Sequence, residues 1–192
     1  MTNNIHHIGI DYGAKTSGTT AIAFCNKQTL HVLQSEKGSN ADRFIDEFIK
    51  AHQPKLVFID APLSLPAIYR GYPGKDFFYR QCDKDLQAMS PMFLGGLSAR
   101  AMQLSSRYEE IQFIETYPKH LAKLLPLKHY KKQKKLKQIN IRELEHYLPC
   151  QINEKINSWH KYDALLAWLS GQRYIMGIAQ KYGEHQEGMI HI

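Results

Sequence analysis

Residues Leu56-Val57-Phe58-Ile59 form an unbroken apolar run, closed by Asp60 and followed by Pro62. A strand with one face in water alternates apolar and polar residues; a run without alternation is covered on both faces. Lys55–Asp60 is therefore expected to be a central strand with a parallel neighbour and helices on either side. The preceding segment agrees. Ser39-Asn40 opens a helical pattern with Phe44, Ile45, Phe48 and Ile49 on one face and Asp42, Arg43, Asp46 and Glu47 outside. Pro54 ends it. A helix that feeds a parallel strand is a crossover, and such crossovers are right-handed.

Three short strands are expected upstream, at Ile5–Tyr12, Thr19–Cys25 and Thr29–Gln34. Gly13, Gly18 and Asn26-Lys27 punctuate them, which predicts an antiparallel meander. Downstream, Pro62, Pro66, Gly71, Pro73 and Gly74 mark residues 61–75 as a loop. Helical patterns follow at Asp76–Met89 and Leu97–Tyr108, then a strand at Ile111–Glu115, a basic helical or irregular stretch, and a further segment at Ile141–Leu148. A long helix begins near Ser158, with Trp159, Tyr162, Leu166 and Leu169 in one stripe and Gly183 as its expected stop. The order is β-β-β-α-β-α-β-α. It predicts an α/β fold with a mixed sheet, three antiparallel strands then parallel ones, and helices on both faces. The length of 192 residues suits a single domain over 1–192, elaborated near 61–108 and in a basic segment at 116–142.

Charge is concentrated in that basic segment. The chain carries +7, while Thr116–Arg142 holds nine Lys and Arg residues and no acid, leaving −2 for the rest. Such a stripe fits a polyanion; it is equally the mark of a solvated lysine-rich loop. The longest stretch without a charged residue is Leu86–Ala99, too short and too rich in Gly and Pro to cross a membrane. Met1–His7 has neither a basic start nor an apolar core, so no secretory leader is expected. Cys25, Cys82 and Cys150 are odd in number and far apart. They suggest reduced thiols in a cytoplasmic protein, not a zinc site or a disulfide framework.

Four acids stand out by position. Asp11, Asp60 and Glu115 end expected strands, and Asp163 lies within the last helix. Sites in open α/β sheets form beyond the carboxyl ends of parallel strands. Clustered carboxylates repel one another and are tolerated when hard cations lie between them. Taken singly, each acid also reads as a turn former or a helix cap.

The motifs Gly9-Ile10-Asp11-Tyr12-Gly13, Ile59-Asp60-Ala61-Pro62, Arg80-Gln81-Cys82-Asp83, Glu115-Thr116-Tyr117-Pro118 and Asp163-Ala164-Leu165-Leu166-Ala167 occur in this order. In that order the chain resembles the ribonuclease-H-like superfamily. Within it, the chain is most similar to a poorly characterised bacterial and archaeal family of predicted RNase-H-fold nucleases. The resemblance covers about Ile8 to Gly171. It implies a ribonuclease-H-like sheet and phosphodiester hydrolysis of nucleic acid with Mg²⁺ or Mn²⁺. Asp11, Asp60 and Asp163 would hold the metal, and Glu115 would be a further ligand or orient a water. Where many relatives carry an extra acid, this chain has His160, three residues before Asp163, and Lys119. His160 is a candidate proton shuttle or a plain helix-start residue.

Substrate contacts are expected from Lys15, Arg80, Lys131, Lys132, Lys134 and Lys135, which would bind phosphates without reading sequence. A second reading is a noncatalytic nucleic-acid-binding or scaffold module on the same fold. A third, suggested by Lys15-Thr16-Ser17 beside Gly13 and Gly18, is a small nucleotide phosphatase or phosphotransferase. The open partner classes are nucleic acid of either type and a second copy of the chain. His6, His7, Trp159 and Trp168 are expected to be structural.

Overall fold

The computed structural model describes residues 5–192, so the leader expectation over Met1–His7 falls partly outside it. Strand β1 (His7–Asp11) lies mid-sheet. On one side it pairs antiparallel with β2 (Ala21–Asn26), which pairs antiparallel with β3 (Thr29–Gln34). On the other it pairs parallel with β4 (Leu56–Asp60), which pairs parallel with β5 (Gln112–Glu115). The expected meander and central parallel strand are both present.

The sheet is wider than expected. Strand β6 (Gln151–Ile152) adds to β3, and β7 (Lys181–Glu184) and β8 (Gly188–His191) add beyond β5. The eight-stranded order is β6-β3-β2-β1-β4-β5-β8-β7.

Helices cover both faces. Helix α1 (Ala41–His52) is capped by the Asn40 side chain, which accepts from the backbone N–H of Asp42 and Arg43. Its apolar face, with Ile45 and Ile49, meets Ile8, Ile10, Val57 and Ile59. Helix α4 (Gly96–Ser105) closes the same layer with Ala101 and Leu104. Helix α7 (Trp159–Ile175) takes the other face. Ten consecutive residues of α7, Tyr162 to Gly171, are buried. A single stripe was expected; the helix is instead enclosed by the sheet below and by α5 (Pro118–Leu124) and α6 (Gln138–Glu145).

Two expected helices shrink, for local reasons. Asp76–Met89 becomes α2 (Gln81–Leu86), because the Asp76 carboxylate caps the N–H groups of Phe78 and Tyr79 and holds a turn there. A four-residue helix, α3 (Pro91–Leu94), separates it from α4. At the other end, α7 stops at Ile175, not near Gly183. Gly177 takes φ +74°, and the chain returns as the β7–β8 hairpin, with Gly183 inside β7. Among the described residues no helix is long and apolar enough to cross a membrane.

One close contact sets the distance between α7 and the sheet. A Cβ on Gly9 would lie 2.0 Å from the Trp168 backbone nitrogen and 2.6 Å from the Ala164 carbonyl oxygen. Beside it, His7 Nε2 donates to the Trp168 carbonyl at 3.1 Å, and the two rings stack. Gly9→Ala is expected to push α7 off the sheet and cost about 3 kcal/mol or more, as overpacking against backbone does. Gly96→Ala, where a new Cβ meets nothing within 4 Å, is expected to stay within about 1 kcal/mol of the parent. Urea titrations of the two variants check this; equal midpoints would show that the contact is not restrictive.

Candidate carboxylate site at the ends of β1 and β4

The parallel register of β1 and β4 pairs Asp11 with Asp60. Register partners in a parallel pair point to the same face, about 4.8 Å apart. Two residues earlier, Gly9 and Phe58 both touch α7, so both carboxylates lie on the α7 side. Helix α7 runs antiparallel to β1, because Gly9 meets Trp168 and Ala164 while His7 meets Gly171. Its first turns therefore lie over the strand ends. His160 Nδ1 donates to Asp11 Oδ2 at 2.7 Å. Asp163, 2% exposed, accepts from Tyr130 Oη at 2.8 Å and pairs with Lys131 Nζ at 2.6 Å. Asp60 has no hydrogen-bond or ion-pair partner among the described residues.

The charges are strained. Burial raises the Asp60 carboxyl well above its ordinary value, and Asp11 and Asp163 raise it further. Burial and Asp11 push Asp163 up to about 6, against the pull of Lys131 and Tyr130. Asp11 is raised by burial, partly offset by His160. His160 is raised in turn by its bond to Asp11. Burial opposes the charge on Lys131, but the three aspartates hold it protonated. Three acids thus share two cationic side chains.

Glu115 belongs to a different cluster. It is in register with Ile59, one residue short of Asp60, so it points to the other face. There it meets Arg80, which is 0% exposed. Arg80 reaches both Glu115 oxygens at 2.7 Å, Asp83 through Nη2 at 2.6 Å and Nε at 3.1 Å, and Ser64 Oγ at 2.9 Å. All five guanidinium N–H groups are engaged. Leu63 N–H adds a bond to Glu115 at 3.0 Å. Breaking such a buried network from one side costs about 3–5 kcal/mol. Arg80 was expected at a substrate phosphate; it is instead an internal tie between β5, α2 and the loop after β4, because two buried acids need it. Glu115 still lines the same cleft as Asp11 and Asp60, a space of about 210 Å³. Larger clefts of about 470 Å³ beside Phe77 and about 560 Å³ beside Asn40 carry no buried acid cluster.

The lysines divide. Lys131 enters the carboxylate cluster from a segment of turns and bends between α5 and α6. It sits at φ +48°, a left-handed conformation that costs a non-glycine residue about 1 kcal/mol or more. Lys132, Lys134 and Lys135 are exposed and carry no ion pair among the described residues. The segment is pinned by Trp159, whose indole N–H donates to the Gln133 carbonyl at 3.2 Å and whose ring meets Tyr130 edge-on. Lys15 is exposed in the turn after β1. The roles of Tyr130 and Lys131 as partners of Asp163 had no local signal, since 33 residues separate Tyr130 from Asp163.

As the side chains stand, no three Asp, Glu, His or Cys residues among the described ones form a metal-holding group. The Lys131 ammonium stands against Asp163 and the His160 imidazole against Asp11.

The raised Asp163 carboxyl has a consequence for stability. Between its ordinary 3.8 and about 6, the folded chain keeps a proton that the unfolded chain has released. Stability from this group is full below pH 3.8 and is lost as pH rises to about 6. Asp163→Asn is expected to remove that loss, so its Tm relative to the parent rises from pH 4 to pH 7. Parallel thermal melts at four pH values test it; a constant difference would contradict it. No protein-family model matches this chain, and no curated protein matches it, so the site is interpreted on its own geometry.

Proposed function

We propose that this chain hydrolyses phosphodiester bonds in nucleic acid with Mg²⁺ or Mn²⁺, on a ribonuclease-H-like sheet. The observation that carries the reading is the register of Asp11 with Asp60 under Asp163 of α7, with Asp60 unpartnered among the described residues. The strand order supports the fold likeness: an antiparallel β1–β2–β3 meander followed by parallel β4 and β5, with acids at adjacent strand ends.

The donor chemistry fits a hard divalent cation. The three aspartates offer only carboxylate oxygens, Asp11 raises the protonation of both Asp60 and Asp163, and the basic groups beside them are a tethered ammonium and an imidazole. Asp11, Asp60 and Asp163 would hold the ion, and a bound ion would activate water and stabilise the leaving oxygen. The chain's own groups do the rest. His160 orients Asp11 and carries a proton at the rim, as its raised basicity favours. Tyr130 and Lys131 orient Asp163. Lys15, Lys132, Lys134 and Lys135 bind phosphates by charge. Glu115, tied to Arg80, shapes the cleft wall and raises Asp60 through space.

One observation favours a noncatalytic polyanion-binding module. His160 and Lys131 already neutralise Asp11 and Asp163. Metal binding separates the two. Mn²⁺ titrations by calorimetry are expected to show binding that Asp60→Asn abolishes. Lys131→Met, which removes the competing ammonium, is expected to tighten it about tenfold, or roughly 1.4 kcal/mol. With Mn²⁺ and a panel of DNA and RNA substrates, Asp60→Asn is expected to lose about 100-fold or more in cleavage rate. Salt-sensitive nucleic-acid binding with no Mn²⁺ uptake in either protein would leave the binding module standing and overturn the nuclease.

A further inference from the structure

Two of the three cysteines, far apart in sequence, meet in space. Cys25 lies in the half-buried second half of β2, and Cys150 directly precedes β6; their sulfurs lie 3.2 Å apart across 125 residues of chain. Both are partly exposed, whereas Cys82 is 0% exposed. A disulfide needs sulfurs about 2.05 Å apart, so an approach of roughly 1 Å is enough.

The place of this pair matters. Residues 150–158 form a strap that links the lysine-rich insert and α6 to α7, which carries His160 and Asp163. The strap is held to the hairpin by few bonds. Strand β6 pairs only Gln151 with Thr29 and Ile152 with Leu30. Asn153 N–H then donates to the Leu30 carbonyl at 3.2 Å. The Glu154 carboxylate accepts from Val32 N–H and from His31, and Ser158 donates to Gln34 Oε1 at 2.7 Å.

We propose that Cys25 and Cys150 are a paired redox site, oxidised to a disulfide by exchange with a low-molecular-weight disulfide, RSSR, and that the bond staples the strap to the β2–β3 hairpin. Burial and the neighbouring sulfur push the Cys25 thiol up. Either thiol can open the exchange; take Cys150. As its thiolate forms a bond to one sulfur of RSSR, the S–S bond breaks, and RS⁻ leaves and takes up the released proton. Cys25 then gives up its proton and attacks the Cys150 sulfur of the mixed disulfide. The second RS⁻ leaves with that proton. Two protein thiols lose two electrons, and RSSR becomes two RSH. This site does not depend on the proposed hydrolysis.

The test uses the full chain and oxidised glutathione. After exchange the protein is denatured, alkylated and mapped by mass spectrometry. The reduced protein should take alkyl groups on all three cysteines, and the oxidised protein on Cys82 alone, with the Cys25 and Cys150 peptides linked. In Cys25→Ser the reaction should stop at a glutathione adduct on Cys150. Three alkylated cysteines after exchange, a link through Cys82, or a link between two copies would overturn the pairing. Tm of the oxidised chain is expected to rise by about 5 °C or more, because the bond closes a long loop of the unfolded chain. A linked chain with unchanged Tm and unchanged proteolysis of residues 126–158 would overturn the staple.

Discussion

Helix α7 lies on β1 at backbone distance, and that approach is possible because residue 9 has no side chain. A larger residue there would meet the Trp168 and Ala164 backbone before α7 reached its place. The contact fixes the spacing between helix and sheet, and the antiparallel run of α7 along β1 fixes what stands over the strand ends. His160 and Asp163 come to lie above Asp11 and Asp60 for this reason. The acid cluster is a consequence of how one helix seats on one strand.

The molecule holds buried acids in two contrasting ways. Glu115 and Asp83 share Arg80, whose five donors are all used by carboxylates and a serine hydroxyl. Desolvation is answered there by paired charge and complete hydrogen bonding, which is the condition under which a buried ion pair is tolerated. The aspartates across the cleft are not answered in this way. Asp60 has no hydrogen-bond or ion-pair partner among the described residues, and its neighbours raise its proton affinity. Groups left in this condition are concentrated at functional sites, where local stability is given up for reactivity or binding. The two clusters differ in how their buried charge is compensated: one is fully paired, the other is not.

Lys131 joins the basic segment to the acidic cluster. It comes from an irregular stretch, at a left-handed backbone angle, and places its ammonium against Asp163. Its neighbours Lys132, Lys134 and Lys135 remain exposed. A polyanion drawn to these lysines would arrive beside the aspartates, so the positive stripe and the acid cluster belong to one surface.

Much of this was legible in the chain. The unbroken run before Asp60 gave the central strand, the period of Phe44 to Ile49 gave α1, and short loops gave the meander, because these patterns are local and repeat with the geometry of the element they form. The same patterns put Asp11 and Asp60 at strand ends. Four things were decided only by tertiary structure. The parity of the β4–β5 register turned Glu115 away from Asp60 and toward Arg80. The return of the chain as β7–β8, with Gly177 in a left-handed turn, cut the last helix short. Lys131 and Tyr130 found Asp163 across 30 or so residues. Cys25 and Cys150 met across 125. Three of these are long-range pairings, set by register and by the spacing of layers, and neither quantity is written in the residues immediately around the groups it brings together.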